Sequence, residues 1–286
     1  LAKLAREKVT VSLSGDGGDE LFCGYERYFL NNKKWKKIKT IPIKLRKQIS
    51  FILEKLLKLS SSKKFDLNLS TKYFDKLSRI ALILSSRTAL NMHQYSNFQI
   101  TNTNYFLNNE VLELKNYSQN LLEPSFSPID QMMFSDLSLY LPEDILVKLD
   151  RTSMANSLET RVPFLDPEVI KFATKIPLKY KIKNNQNKYI LKKLLHKYLD
   201  PKLVDNKKKG FSVPISKWIK EDLKDWAHDL LDEQKLNHQG FFNVKAIRSM
   251  WKEHQSGNKN WENQLWTILM FQSWLNEKNE KQDSII

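Results

Sequence analysis

The stretch SLSGDGGDELFCGY, Ser12–Tyr25, sets four glycines (Gly15, Gly17, Gly18, Gly24) and three acids (Asp16, Asp19, Glu20) within fourteen positions, in a chain that has seven glycines in all. A glycine-rich turn between an apolar β-like run and a helix start is an anion site. Its free N–H groups point at the ligand, and the helix dipole adds about half a positive charge. Gly15, Gly17 and Gly18 let the backbone close on a ligand. Carboxylates beside a phosphate repel it unless a metal lies between them, and Mg²⁺ sits on one or two carboxylates plus phosphate oxygens. The composition of the turn therefore points to a Mg²⁺–nucleotide or Mg²⁺–pyrophosphate site. Neither GxxxxGK[ST] nor GxGxxG is present in it. A tight βα turn with Asp16 and Asp19 as caps would read the same at this level.

Phosphate charge calls for cations elsewhere. NKKKGF, Asn206–Phe211, offers Lys207, Lys208 and Lys209 ahead of a glycine. A lysine there can neutralise charge on a leaving phosphate, although a basic surface loop would have the same composition. A second dense stretch, LDRTSMANSLETRVPFLD, alternates Asp150, Arg151, Glu159, Arg161 and Asp166 amid small and apolar residues. It suits either a structural ion network or a polar wall that holds a charged amino-acid substrate.

These groups need elements to position them. VTVSLS, Val9–Ser14, is the strand candidate, and its partners are expected upstream of Leu1 rather than in this chain. Asp19 is expected to cap one helix over Glu20–Asn31, with Cys23 packed inside it. Apolar residues at helical spacing predict helices after Pro42 and over TKYFDKLSRIALIL, with breaks at Ser60–Ser70 and Asn102–Pro124. IDQMMFSDLSLYL predicts a helix ended by Pro142, RVPFLD is not interior helix, and Pro167 opens the next helix. From Ile215 the chain reads as helices whose Trp226, Trp251, Trp261, Trp266 and Trp274 belong to packing.

Composition bounds the rest. A chain of 286 residues is one large domain or two ordinary ones, and 41% hydrophobic residues suffice for a core. Few glycines and prolines favour helix. One cysteine excludes an internal disulfide and a cysteine-cluster zinc site, and fits a reducing, cytoplasmic setting. No apolar run is long enough to span a bilayer. The charge of +15 raises nucleic acid, anionic lipid or a polyanionic substrate as partners, and its spread over lysine clusters separated by acids suits either solvated helix faces or a functional polyanion surface. With no recognition motif, nucleic acid is not an expected partner.

Three stretches in order, VSLSGDGGDELFCGY, LPEDILVKLDRTSMANSLETRVPFLD and KKKGFSVPISKW, resemble the synthetase domain of glutamine-hydrolysing asparagine synthetases over nearly the whole chain. The resemblance implies an α/β fold of the adenine-nucleotide α-hydrolase-like type, here mostly helical because upstream strands are missing. It implies residues 1–286 as a partial synthetase domain. It also implies ATP and Mg²⁺ as cofactors and a reaction in which aspartate attacks Mg-ATP, giving β-aspartyl-AMP, which ammonia converts to asparagine. Aspartate, ATP and ammonia or glutamine would be substrates, an upstream glutaminase domain the partner, and a homodimer an allowed assembly. Carried over by position, Ser14, Gly15 and Gly17 would lie against the nucleotide and Asp19 would bind Mg²⁺. Asp16 stands at an acid important for adenylate formation, and Lys208 at a lysine that contacts pyrophosphate. Lys148 and Glu159 would pair as scaffolding of the substrate pocket. Cys23 stands where the family commonly has glycine. A Ser-Gly-Gly-x-Asp-Ser loop and the glutaminase cysteine are not in the sequence, so the chain as given is expected to form no adenylate alone. β-Lactam synthetases carry tyrosine at Asp16, which separates them. An amidotransferase acting on a sugar or peptide carboxylate in surface-polysaccharide assembly shares the same motifs, and a non-catalytic basic binding fragment is the remaining alternative.

Overall fold

The computed structural model describes residues 1–60, 71–97, 106–108, 126–184, 186–204 and 213–283. The expected breaks after Ser60 and over Asn102–Pro124 lie almost wholly outside the described residues, and so does Lys208 with its neighbours Lys207 and Lys209. Two compact units share the chain. One comprises Leu1–Thr40, Thr88–His93 and Lys115–Lys209; the other comprises Ile41–Arg87, Gln94–Leu114 and Gly210–Ile286.

The first unit is built on a two-stranded parallel sheet. Strand β1, Val11–Leu13, pairs with β2, Glu159–Arg161, in the register Val11↔Glu159, Ser12↔Thr160, Leu13↔Arg161. The expectation that β1 has no partner in this chain is thus corrected. ETR is three residues long with one apolar methyl among charges, so it carries no strand pattern. It becomes a strand because backbone groups of β1 need bonding partners. Ser12 and Thr160 hydroxyls also meet across the pair at 3.2 Å.

The single helix expected over Glu20–Asn31 is two. Gly18–Leu21 forms one short turn of helix, and Glu26–Ile38 follows after a break. The break is local: Cys23 adopts φ 56, and the Gly24 N–H closes back on the Asp19 carbonyl at 2.8 Å. Cys23 is therefore packed as expected but not within a helix. A left-handed conformation costs a non-glycine residue about 1 kcal/mol, and this explains glycine as an alternative at that position. Asp19 does not cap, since Gly17 occupies the cap position without a side-chain bond.

Pro128 opens a helix, Pro128–Ser135, whose Ser127 cap accepts from the Asp130 N–H at 3.2 Å. The expected stop at Pro142 does not occur. Helical winding continues through a π-helical segment, Asp136–Leu146, that contains Pro142, and into helix Val147–Met154. In an α-helix the ring would clash with the carbonyl four residues back. The wider i→i+5 winding relieves that clash, and proline has no N–H to leave unbonded. Pro163–Leu165 forms a 3₁₀ turn after β2, and Asp166 caps helix Pro167–Lys175 by accepting from the Glu168 N–H at 2.8 Å. Buried Cys23, Tyr28, Ala89, Ile129, Met132 and Met133 make one core cluster of this unit, and Leu21, Phe22 and Ala173 another.

In the second unit, helix Ile43–Ser60 packs along helix Thr71–Ser85. Ser50 donates to the Ala81 carbonyl at 2.8 Å, and buried Arg46 donates to the Ser86 carbonyl at 2.8 Å. The C-terminal helices enclose Ile219, Leu230, Leu236, Ile247, Met250 and Leu269. Trp251 and Trp261 are buried there, and Trp226 and Trp266 pack against them. Trp274 is the exception among the five: it is half exposed, with its ring 5.9 Å from that of Phe271. Among the described residues no helix is long and apolar enough to cross a membrane.

Candidate functional site

The glycine turn is fastened at both ends. The Ser14 N–H donates to the Arg161 carbonyl at 2.8 Å, continuing the β1–β2 ladder by one bond. Within the turn the Ser14 hydroxyl donates to Asp16 Oδ2 at 2.5 Å. Gly17 has φ 82, and a Cβ there would meet Leu165 Cδ2 at 2.7 Å; at Gly18 it would meet Phe164 Cε2 at 3.1 Å. The 3₁₀ turn therefore lies directly under the glycines, and only glycine satisfies both the backbone angle and the space at position 17. Gly15 faces the other way, exposed, with nothing within 4 Å of where a Cβ would stand. Two stretches about 150 residues apart, the glycine turn and the segment from β2 to Leu165, thus form one wall with an open rim at Gly15.

Asp19 is half-buried and paired with Lys188, Nζ to Oδ1 2.9 Å. Lys188 has φ 55, and its ammonium lies 3.7 Å from the Cβ position of Gly18. A Cβ at Gly24 would collide with both Asp19 and Lys188, so the bare backbone at Gly24 makes room for the pair. Asn187 fastens the same loop by donating to the Gly24 carbonyl at 2.9 Å. No motif marks Lys188, one of six lysines in the run KYKIKNNQNKYILKK.

Asp16 and Asp19 are oxygen donors on one turn, the ligand type Mg²⁺ prefers. Among the described residues no group of three or more His, Cys, Asp or Glu gathers around a point. A site of one or two carboxylates completed by phosphate oxygens is the arrangement these residues fit.

The substrate-side residues stand differently. Glu159 and Arg161, the ends of β2, form an exposed ion pair at 2.7 Å. Glu159 thus pairs with Arg161 rather than with Lys148 as expected. Lys148 is exposed on helix Val147–Met154. An exposed pair of this kind is worth less than about 1 kcal/mol. Asp166 is engaged as a helix cap, so the alternating charges do not form one network in this structure.

Behind the turn lies a buried polar cluster that no sequence motif marked. Tyr25 donates to the buried Glu20 at 2.7 Å. Burial pushes the Glu20 carboxyl above its ordinary range, partly offset by that hydrogen bond. Arg27 donates to Asp136 Oδ2 from Nη2 at 2.7 Å and from Nε at 3.2 Å. Its guanidinium carbon also stands 4.1 Å from the Tyr25 ring centre and 4.7 Å from that of Tyr140. His93 bridges Asp136 Oδ1 at 3.0 Å and the Asn31 side-chain nitrogen at 3.1 Å. Since the Asn31 nitrogen is a donor, His93 Nδ1 accepts and Nε2 donates to Asp136. Burial alone would raise Asp136. The hydrogen bond from His93, with the hydrogen bonds and charge of Arg27, outweighs it and holds the carboxyl below its usual range.

Cys23 is fully buried, and desolvation pushes its thiol up to about 12. A thiolate is needed for reaction. The expected result is that a thiol reagent at neutral pH leaves Cys23 unlabelled in the native protein and labels it fully in denaturant. Stoichiometric native labelling within minutes would contradict the packing.

The family model for Asparagine synthase matches residues 1–276. Asparagine synthetase (glutamine-hydrolyzing) 1 of Bacillus subtilis (strain 168) is 31% identical over 286 residues, covering 98% of this chain and 42% of that protein. A putative asparagine synthetase (glutamine-hydrolyzing) of Mycobacterium tuberculosis (strain ATCC 25618 / H37Rv) is 31% identical over 276 residues, covering 96% of this chain and 40% of that protein. The chain thus spans about two fifths of the length of these curated relatives. No solved structure matches it.

Proposed function

The chain belongs to the asparagine synthase family, and on that footing we propose that it carries the ATP-dependent step of amide formation. A carboxylate oxygen of the acceptor attacks the α-phosphorus of ATP, the bond to pyrophosphate breaks, and an acyl-adenylate forms. Ammonia then attacks the acyl carbon and AMP leaves. Aspartate is the proposed acceptor, β-aspartyl-AMP the intermediate and asparagine the product. Glutamine hydrolysed by an upstream domain is the proposed ammonia source, and the proposed setting is cytoplasmic.

One observation carries this reading: a glycine turn with an open rim at Gly15, in which Ser14 is bonded to Asp16 and the Asp19 that follows is paired with Lys188. Ser14, Gly15 and Gly17 would hold the nucleotide by backbone approach, as such turns do. Asp19 would hold Mg²⁺, which when bound neutralises phosphate charge. Lys188, whose ammonium pairs with Asp19 at 2.9 Å, would turn to a phosphate oxygen once the carboxylate has another partner. Lys208 would neutralise the departing pyrophosphate. Asp16 would orient the acceptor, and Lys148 and Glu159 would border its pocket.

A sugar or peptide carboxylate is the alternative acceptor, because the same motifs serve it and Glu159 at the rim pairs with Arg161 in this structure. The test is pyrophosphate release from Mg-ATP by the full natural protein, with ammonia, offered aspartate, a uronic acid or a peptide carboxylate in turn. Release stimulated by aspartate with asparagine formed supports the main reading. Stimulation by a uronic acid or peptide alone moves the chain to the second, and no stimulation by any carboxylate overturns both.

A further inference from the structure

Helix Ile43–Ser60 turns one side to helix Thr71–Ser85 and leaves an apolar stripe outside that contact. Arg46, Ser50 and Leu57 are buried on that side. Leu45, Ile49, Ile52 and Leu56 recur at i, i+4, i+7 and i+11, which places them in one stripe about 60° wide. They are 47%, 36%, 56% and 51% exposed. Phe51, 66% exposed, lies farther round the helix, beyond a row formed by Lys44, Gln48 and Lys55. From Phe51 through Lys44, Lys55 and Gln48 to the stripe, this face covers about 160° and contains no acid. Glu54 lies outside it, where its carboxylate accepts from the Ser50 hydroxyl at 3.3 Å.

We propose that this face of helix Ile43–Ser60 seats the protein on an anionic membrane surface. The stripe and Phe51 would enter the boundary between headgroups and acyl chains, and Lys44 and Lys55 would meet lipid phosphates. An apolar stripe bordered by lysines and an aromatic ring is the pattern of a helix lying in the plane of the interface. Charge complementarity selects the occupant. The face has two lysines and no acid, and these 286 residues carry +15, which adds a longer-range attraction to an anionic surface. A second copy is disfavoured on two counts. Facing stripes would bring Lys44 and Lys55 of both copies together, and five side chains fall short of the roughly 800 Å² per partner typical of a stable interface. The proposal does not depend on which carboxylate the enzyme amidates.

The test uses the full natural protein with sedimented vesicles, either of phosphatidylcholine alone or with about 30% phosphatidylglycerol. Binding is expected to the anionic vesicles and to weaken as salt rises, because screening shortens the reach of the charges. Phe51→Ser/Ile52→Ser removes apolar insertion, and Lys44→Glu/Lys55→Glu reverses the charge. Each pair is expected to lower partitioning by about tenfold or more while helical circular dichroism and the thermal midpoint hold. These positions lie outside the proposed site, so turnover of soluble substrates is expected to be unchanged. Equal binding to pure phosphatidylcholine, no binding at low salt, or unchanged binding by either variant overturns the proposal. Self-association that Phe51→Ser/Ile52→Ser abolishes, without vesicle binding by the unmodified protein, assigns the face to a second copy and overturns it as well.

Discussion

Asparagine in place of Asp16 is expected to lower acceptor-dependent pyrophosphate release by the full natural protein about 100-fold or more, the scale for losing one positioned charged or proton-transferring group in an active site. The substitution is nearly isosteric. The Ser14 hydroxyl, which donates to Asp16 Oδ2, can donate equally to an amide oxygen, so the turn keeps its internal bond. Gly17 remains seated on Leu165, and the Ser14 N–H remains bonded to the Arg161 carbonyl. What changes is one negative charge beside the open rim at Gly15. Nucleotide affinity, measured by equilibrium binding, is expected to stay within a few-fold of the unmodified protein, because the backbone approach is intact. Loss of release with binding retained locates the defect in adenylate formation. Less than about a fivefold loss of release would remove Asp16 from the chemistry.

Asp136→Ala is expected to destabilise the first unit by about 3 kcal/mol, because it leaves the part-buried Arg27 guanidinium and the buried His93 ring without their shared acceptor. Asp136 is 4% exposed and holds Arg27 through one oxygen and His93 through the other. A loss of this size lowers a melting midpoint by on the order of 10 °C in a unit of about 150 residues. The pH dependence has a definite sign. The Asp136 carboxyl is held below its ordinary value of 3.8, so the folded state binds its proton less tightly than the unfolded chain does. Its stabilisation is complete above that ordinary value and is lost as pH falls through the lower folded value. The difference in midpoint between the two proteins should therefore be level around neutrality and shrink below about pH 4. A drop of less than about 2 °C at neutral pH, or a gap that widens in acid, would mean that the cluster holds Arg27 and His93 by other means.

This cluster also marks what could not be read from composition. Glu20 and Tyr25 belong to the stretch that first drew attention, yet nothing in their spacing shows that Glu20 turns inward to Tyr25 while Asp19 turns outward to Lys188. Asp136 and His93 are separated by 43 positions and carry no motif. Pro142 argues for a helix end by every local rule, and the π-helical winding that absorbs it is visible only once Asp136–Leu146 is seen to continue the helix before it.

The sequence by itself determined the strand, the glycine turn, the helix start at Pro167 and the family. The β-branched run Val9–Val11 and the glycines after Ser14 mark the strand, which forms over Val11–Leu13. Gly17 must be glycine because the turn needs φ 82 there, and Pro167 opens a helix because its ring suits the first turn. Motif order over residues 1–276 carries the family. These are properties of neighbouring residues, set by backbone sterics and short spacing. Tertiary structure alone decided the partners: ETR as the second strand, Leu165 beneath Gly17, Lys188 on Asp19, and Arg161 rather than Lys148 on Glu159. An ion pair forms between whichever opposite charges the folded backbone brings within about 4 Å. In a chain with 47 lysines and arginines against 32 acids, charge alone leaves that choice open. Packing of segments far apart in the chain makes it.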